Sequence, residues 1–312
     1  MTPILAIDLS FLAHQARMTL RDLSTSDDVP SGIVYGILSR ILSLGIRFRT
    51  NRIVFCCDGM SQSNPRRTIL PSYKLLRQTN RTPKEMADLQ PMYAQVHRLR
   101  TALLPLIGFQ NVFWDGVHEA DDFFGRIAET ARIPVIMVAN DGDLFQLLRQ
   151  GMIMMWNPST KKMTTEETFR EMYPGIGPQE WARAKSIAGC DGDEVPGVDG
   201  VGYKTAVKYL LQRLEPSSKV YQAIASPSGA AIMARNWDLV KLPYPTTPAI
   251  GFVSNSFSME GLMKVCVEYD IASFMEPDNM VRWSALFDSN WNAIPPSEPK
   301  SEKAHGRVTR RG

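Results

Sequence analysis

Short apolar runs alternate with longer amphipathic stretches along the first half of the chain. The runs are rich in Ile, Val, Phe and Met, and they predict buried strands at residues 4–8, 52–57, 110–114, 134–139 and 152–156. Between the strands, apolar positions recur at helical spacing and predict helices at residues 31–46, 84–106, 120–131 and 144–149. This alternation predicts an α/β fold, with a mostly parallel central sheet and helices on both of its faces.

The pattern changes after residue 158, where we expect an α/β core of residues 1–158 to give way to a helical region of residues 159–294. In that region we predict helices at residues 165–173, 178–188 and 204–214, and residues 215–290 are helical in tendency. Within the core, residues 59–82 lack periodicity and predict a mobile loop, part of a basic arch at about residues 60–95. Residues 295–312 carry five basic residues, two acids and almost no apolar side chains, which predicts a disordered basic tail.

Acidic side chains follow three of the predicted strands and should meet at one edge of the sheet, because open α/β sheets bind ligands outside the carboxyl ends of their strands. A carboxylate cluster beside apolar residues requires a cation, and the usual one is a hard divalent metal ion with oxygen ligands. One such Asp alone would indicate a turn or a helix cap, so the prediction depends on the convergence of the set. The candidate metal ligands are Asp8, Asp58, Glu119, Asp121, Asp122, Asp141, Asp143, Asp191 and Asp193.

Composition limits the class of protein and its compartment. A chain of 312 residues with 44% hydrophobic content can form one large α/β domain with a smaller helical part. No run approaches the roughly 20 apolar residues of a membrane span, and the first residues lack the basic start of a signal peptide. The four cysteines show no CxxC spacing and indicate neither a zinc site nor a disulfide framework, so we expect a reducing cytoplasm.

Charge is distributed unevenly, although the net charge is only +3. Residues 60–100 hold eight basic residues against two acids, a net of +6, whereas acids gather at the strand ends. A basic surface beside an acidic metal site suits a polyanionic substrate that is cut with the help of metal ions. The alternative interpretation of the basic stretch is a solvated helix face.

A glycine-rich turn at residues 197–206 joins two predicted helices. Glycine permits close backbone approach, and the amides at the start of the second helix can bind an anion, with Lys204 and Lys208 adding charge. The arrangement resembles helical hairpins that follow one DNA backbone without reading bases, and a simple glycine cap and turn is the alternative. The stretch does not resemble a nucleotide P-loop, because it has neither the GxxxxGK(S/T) pattern nor a predicted strand before it.

A series of motifs in fixed order resembles the 5′-nuclease family, which comprises flap endonucleases, phage 5′→3′ exonucleases and the N-terminal nuclease domain of bacterial DNA polymerase I. The series spans about two thirds of the chain, and its last three members are specific. They are Ala6-Ile7-Asp8, the Asp after the second strand, Arg-x6-Tyr-Lys from Arg66, Glu-Ala-Asp-Asp from Glu119, Asn-Asp-x-Asp-Leu-x-Gln-Leu from Asn140, and Val-Pro-Gly-Val-x-Gly-Val-Gly-x-Lys-Thr-Ala from Val195. The resemblance implies a PIN-like fold with a helix-hairpin DNA-binding module and a metal-dependent nuclease activity.

The resemblance also implies roles for the matched residues, and two Mg²⁺ or Mn²⁺ ions. Around the first ion it places Asp8, Asp58, Glu119 and Asp121, with Asp122 beside them, and toward the second ion Asp141, Asp143 and Asp193. The residues that grip the scissile phosphate or stack on the terminal nucleotide are Arg66, Tyr73, Lys74 and Arg77, although a packing aromatic is the alternative for Tyr73. The further DNA contacts are Arg67, Arg81, Lys185, Gly197, Gly200, Gly202, Lys204 and Lys208. In several relatives the hairpin also binds a potassium ion through backbone carbonyls.

One position departs from the family pattern. Relatives carry Gly-Asp-x-x-Asp-Asn before the Pro-Gly turn, whereas this chain has Cys190 in place of the first Asp and Glu194 in place of the Asn. A neutral thiol is a poor Mg²⁺ ligand, and a thiolate favours softer metals. Three outcomes stay open: Asp191 replaces the missing acid, Glu194 contributes through a water, or the second metal site is weak.

We therefore expect a monomeric enzyme, in the cytoplasm of a bacterium or a phage-infected cell, that cuts DNA with a duplex and a 5′ end or 5′ flap. Two other classes stay open. One is a non-catalytic nucleic-acid-binding protein of the same fold, and the near-complete set of acids argues against it. The other is a PIN-like ribonuclease, and the glycine-rich hairpin and the Tyr-Lys arch argue against that class.

Overall fold

A six-stranded sheet forms the centre of the computed structural model, which describes residues 1–59 and 63–293. The strands are β1 (Ile4–Asp8), β2 (Ile53–Cys56), β3 (Val112–Phe113), β4 (Val135–Val138), β5 (Ile153–Asn157) and β6 (Lys162–Thr164). Their order is β3-β2-β1-β4-β5-β6, and all neighbours pair in parallel except β5 and β6. The predicted α/β fold with a mostly parallel sheet is confirmed, and the antiparallel β6 was not foreseen.

The central strands β1, β2 and β4 are buried on both faces, as their nearly continuous apolar sequences require. Successive side chains of a strand point to opposite faces, so the sheet separates two hydrophobic cores. Leu5 and Phe55 belong to one core, and Ala6 and Val54 belong to the other. Burial on both sides fixes the register of β1 against its neighbours and therefore fixes where each strand ends.

The helices of the first half are α1 (Leu9–Leu20), α2 (Gly32–Phe48), α3 (Arg66–Ile69), α4 (Leu76–Thr79), α5 (Pro83–Arg98), α6 (Leu104–Ile107) and α7 (Ala120–Thr130). Helix α1 was not predicted from the sequence, although its buried residues Leu9, Leu12, Ala13 and Ala16 have helical spacing. The single helix predicted at residues 84–106 is divided into α5, a π-helical segment (Leu99–Leu103) and α6. The helix predicted at residues 144–149 is a 3₁₀ segment (Gly142–Leu147).

The segment predicted as a mobile loop, residues 59–82, contains α3 and α4 in its described part. Residues 60–62 and the side chain of Arg77 lie outside the described residues. The turn between α3 and α4 is held against residues 191–193 of the second half, because the Lys74 amide donates to the backbone carbonyl of Asp193 at 3.1 Å. The turn between α3 and α4, within the segment predicted as a mobile loop, is therefore anchored by a backbone hydrogen bond.

The second half is mostly helical, as predicted. Its elements are α8 (Glu166–Met172), α9 (Trp181–Ala188), β7 (Gly189–Cys190), β8 (Val195–Pro196), α10 (Tyr203–Leu210), α11 (Lys219–Ala225), α12 (Pro227–Val240), α13 (Met259–Glu268) and α14 (Pro277–Phe287). Leu262 of α13 and Trp283 of α14 are buried in the same core as Leu5 of β1. The division predicted at residue 158 stays a prediction, and this shared core joins its two regions. The predicted basic tail at residues 295–312 lies outside the described residues.

No helix in residues 1–59 and 63–293 has both the length and the apolar composition that a membrane-spanning segment needs.

Candidate active site

The carboxyl-terminal edge of the sheet collects acids from four separate segments. Asp8 ends β1 and caps α1 by accepting a backbone amide at 2.8 Å. Asp58 follows β2, and its Oδ1 accepts the amide of Ala120 at 3.0 Å, at the start of α7. Asp121 lies in the first turn of α7, and Asp141 follows β4. Because β1 lies between β2 and β4, the acids surround the point where the strand order reverses, which is where such sheets bind ligands.

The acids of this group repel one another. Burial, followed by the charges of Asp58 and Asp141, raises the pKa of Asp8 from 3.8 to about 8. Burial and the charges of Asp141 and Glu119 hold the pKa of Asp121 well above its usual range, although Lys74 opposes them. A bound cation would relieve this repulsion, and a set of carboxylate oxygens suits Mg²⁺ or Mn²⁺ better than zinc. The donors present therefore fit a hard divalent metal ion.

The raised pKa of Asp8 predicts a pH-dependent stability in the absence of metal. The folded chain keeps a proton on Asp8 up to about pH 8, whereas the unfolded chain releases it near 3.8, so folding loses free energy as pH rises between these values. The Asp8→Asn variant avoids this loss and can still cap α1. In EDTA, its melting temperature should exceed that of the wild type by a margin that grows with pH across this interval. A margin that stays constant or shrinks would contradict the assignment, and added MgCl₂ should reduce it.

Lys74 is held beside the acids by Glu119. Its Nζ lies 2.6 Å from Glu119 Oε1 and 3.6 Å from Asp193 Oδ1. Burial would raise the pKa of Glu119, but Lys74 and Arg66, with a hydrogen bond from Tyr73, lower it to about 2. The backbone of Lys74 adopts a left-handed φ of 52°, which is uncommon for a residue with a side chain. The turn thus directs the charged ammonium group of Lys74 toward the acids at the carboxyl-terminal edge of the sheet.

Tyr73 is buried and does not present its ring to solvent. Its side chain packs with Val195 and Leu239, and its hydroxyl donates to Glu119 Oε2 at 3.0 Å. This is the packing aromatic that the sequence left as an alternative, and it disagrees with the expected stacking on a nucleotide. With Lys74 on one oxygen and Tyr73 on the other, both carboxylate oxygens of Glu119 are engaged.

Arg66 and Asp122 form a buried ion pair, which corrects the roles predicted for both. The two guanidinium Nη atoms donate to the two oxygens of Asp122 at 2.8 and 2.7 Å, and Nε donates to the Leu239 carbonyl at 2.8 Å. Asp122 also accepts the Tyr244 amide at 2.8 Å and is 0% exposed, whereas Arg66 is 1% exposed. Asp122 therefore contacts Arg66 instead of the acids at the carboxyl-terminal edge of the sheet, and Arg66 is enclosed in this pair. The pair ties α3 to α7 and to the segment after α12.

Breaking this pair should cost far more stability than breaking an exposed one. Asp122→Asn removes the closest counter-charge of a buried guanidinium and leaves only Glu119 Oε2 at 3.6 Å, so we expect a loss of about 3 kcal/mol in the free energy of unfolding. The matched control is Glu129→Gln, which removes the partner of Arg126 at 2.8 Å on the surface of α7, where the loss should be about 0.5 kcal/mol or less. Urea unfolding measures both. Equal losses in the two variants would show that the buried pair does not hold α3 in place.

A second set of potential ligands lies beside the first. Oxygens of Asp143 and Asp193 and the thiol of Cys190 all lie within 4.8 Å of one another. Lys185, predicted as a DNA contact, is instead 3% exposed and forms an ion pair with Asp143. Asp191, predicted as a ligand, is exposed and does not belong to this group. Cys190 is therefore the third member of the set.

The glycine-rich hairpin joins two helices, as the sequence predicts, and it also contains a strand pair that was not foreseen. β7 and β8 pair in antiparallel fashion after α9, and α10 begins directly after Gly202. A Cβ on Gly197 would lie 2.2 Å from the carbonyl group of Ala188, so this close approach requires glycine. Gly200 has a φ of 70° and faces open space, and Lys204 and Lys208 are exposed on α10. The amides at the start of α10 and its two lysines thus remain accessible to a phosphate backbone.

The remaining basic residues of the arch have separate positions. Arg67 is half-buried, and its Nε donates to the carbonyl of Tyr73 at 3.1 Å. Arg81 donates to the hydroxyl of Tyr93 at 2.9 Å, at the start of α5. Arg67 therefore supports the turn that carries Lys74, whereas Arg81 lies further along the arch. Their predicted DNA contacts stay predictions.

The sequence did not predict that α12 and the residues after it support the site through hydrogen bonds. Asn236 is fully buried, and its amide donates to the carbonyls of Ser186 and Pro196 at 3.0 Å each. Together with the Leu239 carbonyl on Arg66, these bonds hold α9, the hairpin and α3 in one arrangement. The only sign in the sequence was a polar residue, Asn236, at a position on the apolar face of a helix. Such a residue does not reveal which groups it will hydrogen-bond to.

The comparisons with known proteins agree with this geometry. The family model of the 5′-3′ exonuclease N-terminal, resolvase-like domain matches residues 3–174. The 5′-3′ exonuclease of Buchnera aphidicola subsp. Schizaphis graminum is 26% identical over 304 residues, which cover 90% of this chain and 96% of that protein. The 5′-3′ exonuclease of Streptomyces coelicolor is 30% identical over 218 residues, which cover 66% of this chain and 70% of that protein.

A solved structure shares the fold over almost the whole chain. It is the D15 flap endonuclease of bacteriophage T5, in a pseudo-enzyme–product complex with DNA and metal ions. The TM-score is 0.63 at 19% sequence identity, and the match covers 93% of this chain and 99% of that one. At this identity the likeness concerns the fold.

Proposed function

This chain belongs to the 5′-3′ exonuclease family and is a 5′-nuclease, and we propose that bound divalent metal ions let it hydrolyse DNA phosphodiesters near 5′ ends or flap junctions. The observation that carries the proposal is the convergence of Asp8, Asp58, Asp121 and Asp141 beside the charged Lys74. A phosphodiester needs counter-charge on both sides while it is cleaved, and this edge of the sheet offers a metal-binding cluster and a fixed ammonium group.

We assign the first metal position to Asp8, Asp58 and Asp121, with Asp141 between it and a second position. Bound there, Mg²⁺ or Mn²⁺ would activate a water molecule and stabilise the leaving oxygen. Asp58 is already oriented by the amide of Ala120, so its second oxygen can face the ion. Glu119 has both oxygens engaged by Lys74 and Tyr73, so we assign it to positioning Lys74.

Lys74 is the residue that we assign to the reacting phosphate. Its ammonium group is preorganised by Glu119 and by the left-handed backbone of the turn, and it needs no rearrangement of the fold to meet a negative charge. Charge on the phosphate oxygens increases as the attacking oxygen approaches, so a fixed cation there stabilises the transition state more than the bound substrate.

Duplex DNA would lie against the hairpin and the exposed face of α10. Backbone amides and the side chains of Lys204 and Lys208 bind phosphates without reading bases, which fits an enzyme that selects structure and not sequence. The proposal includes a potassium ion at the hairpin carbonyls and a monomeric state. The four cysteines are free thiols, which suits the cytoplasm of a bacterium or a phage-infected cell as the place of action.

The test is a cleavage assay on a duplex that carries a 5′ flap, labelled at its 5′ end. We expect oligonucleotide products in MgCl₂ or MnCl₂ and none in EDTA, and their lengths report where the bond breaks relative to the junction. A parallel substrate with an RNA flap and a single-stranded DNA of the same sequence measure the preference for substrate type. The same preparations should bind the flap duplex in EDTA, measured by fluorescence anisotropy.

The outcomes separate the proposal from its alternatives. Binding of the flap duplex without cleavage in any divalent metal would indicate a non-catalytic binding protein. Cleavage of the RNA flap in strong preference to the DNA flap would indicate a PIN-like ribonuclease. Cleavage of DNA that persists in EDTA would contradict the assignment of the acids to metal ions.

A further inference from the structure

The set formed by Asp143, Cys190 and Asp193 is chemically unlike the all-carboxylate group beside it. Asp143 comes from the 3₁₀ segment after β4, Cys190 ends β7, and Asp193 closes the short turn that follows. One oxygen from each acid and the thiol sulfur lie within 4.8 Å of one another, close enough for a single ion to contact all three. Hard and soft donors are therefore mixed in one place.

The position of the thiol is fixed by the backbone around it. Cys190 pairs with Val195 between β7 and β8, and Gly189 before it has a φ of 78°. A Cβ on Gly189 would lie 2.4 Å from the backbone of Gly197, and the Gly189 carbonyl accepts the hydroxyl of Tyr203 at 3.1 Å. The sulfur is thus presented by a rigid part of the hairpin.

The two acids next to Cys190 in the sequence do not take its place. Glu194 has a left-handed φ of 60°, and its Oε1 accepts the amide of Leu76 at 2.6 Å, so it is turned toward the arch. Asp191 is exposed and stands outside the group of three. Of the outcomes that the sequence left open, this geometry favours the one in which neither acid compensates for the cysteine.

The charges of the set are balanced by lysines. Lys185 is buried and ion-paired with Asp143, and Nζ of Lys74 lies 3.6 Å from Asp193. Within this set of three, Mg²⁺ would compete with these ammonium groups for two carboxylates and would gain little from a neutral thiol. A thiophilic ion behaves differently, because the metal–sulfur bond replaces the S–H bond, the proton leaves to water, and the thiolate adds a negative charge.

We propose that Asp143, Cys190 and Asp193 form a metal position selective for thiophilic divalent ions, such as Zn²⁺ or Cd²⁺, over Mg²⁺. The inference rests on the proposed function in one respect, since this position adjoins the metal site that we assign to cleavage. It implies that the two metal positions of this chain differ in the ions they accept.

The test titrates the full chain with Cd²⁺ and follows the ultraviolet charge-transfer absorbance of a cadmium–thiolate bond. The wild type should develop the band, and Cys190→Ser should not. The matched control is Cys266→Ser, which removes a buried thiol of α13 and should keep the band. Asp143→Asn should weaken Cd²⁺ binding at least roughly tenfold, because even the loss of an outer-shell partner costs that much. The proposal would be overturned if the Cys190→Ser variant still develops the band, or if Asp143→Asn leaves the Cd²⁺ affinity unchanged.

A second variant tests the selectivity in the opposite direction. Cys190→Asp supplies a hard donor, so it should bind one more Mn²⁺ per chain than the wild type, counted from the loss of the free-ion signal in electron paramagnetic resonance. An unchanged Mn²⁺ count would contradict the proposal. Cleavage of the flap duplex in MgCl₂ is measured on the same wild-type preparation. If cleavage is absent but the cadmium band forms at Cys190, the proposed function fails and this inference stands. If cleavage occurs but no cadmium band forms at Cys190, only this inference is overturned.

Discussion

Asp121→Asn should abolish DNA cleavage while leaving the protein folded. The variant loses one carboxylate of the first metal position, and a metal ion supplies several kcal/mol of transition-state stabilisation, which corresponds to roughly 10³-fold or more in rate. The affinity for the flap duplex in EDTA should change little, because the carboxyl group that is lost does not attract the DNA phosphates. The single-turnover rate in MgCl₂ is the measurement.

Stability supplies an independent readout for the same variant. Burial and the neighbouring carboxylates hold the pKa of Asp121 well above its usual range, so the charge is unfavourable in the metal-free fold. Asp121→Asn should therefore melt at a higher temperature than the wild type in EDTA. Asp278→Asn, at an exposed position at the start of α14, is the control and should change neither rate nor melting temperature. Near wild-type cleavage by Asp121→Asn would refute the metal site.

Lys74→Ala should reduce the single-turnover cleavage rate by roughly 10²–10³-fold, the effect of removing one preorganised electrostatic group from an active site. Binding of the flap duplex should weaken much less, because the ammonium group is needed most when charge accumulates on the phosphate. Lys74 also balances Glu119 at 2.6 Å, so a Lys74→Ala/Glu119→Gln double variant separates catalysis from charge balance. If the double variant recovered the wild-type rate, Lys74 would only be neutralising Glu119.

Lys204→Ala is the matched comparison, because it removes the same charge from the hairpin. It should mainly weaken duplex binding and reduce the slope of log affinity against log salt by about 1, with little effect on the saturating single-turnover rate. Opposite patterns in the two lysine variants would confirm that chemistry and duplex binding lie on different parts of the surface. Equal effects on rate and binding in both would contradict this division.

The sequence alone was sufficient for the fold class and for the elements that place the acids. Strand periodicity, glycine-rich turns and acids after strands are local features, and they predict local structure without knowledge of partners. The convergence of Asp8, Asp58 and Asp141 followed from one further fact, that parallel strands end at the same edge of a sheet. The match over residues 3–174 shows that the family assignment made from these motifs is correct.

Local sequence patterns did not reveal which residues the charged side chains contact. Asp121 and Asp122 are neighbours in the sequence, but successive residues of a helix point roughly 100° apart, so Asp121 lies among the acids at the sheet edge and Asp122 pairs with a buried arginine. Arg66 and Asp122 are 56 residues apart, and the carbonyl that completes the arginine site comes from α12, a further 117 residues along the chain. Lys185 was predicted as a DNA contact, but the packing of α9 pairs it with Asp143.

Local patterns in the chain are therefore enough to predict the fold class, the edge of the sheet where the acids gather, the glycine-rich turn and the family. The folded arrangement was needed to show which acids lie together, that Tyr73 supports Glu119 from within a core, and that Cys190 lies among carboxylates. This division arises because periodicity and turn chemistry are set by near neighbours in the chain. Ion pairs and buried hydrogen bonds depend on which distant segments the packing of the two cores brings within about 3 Å.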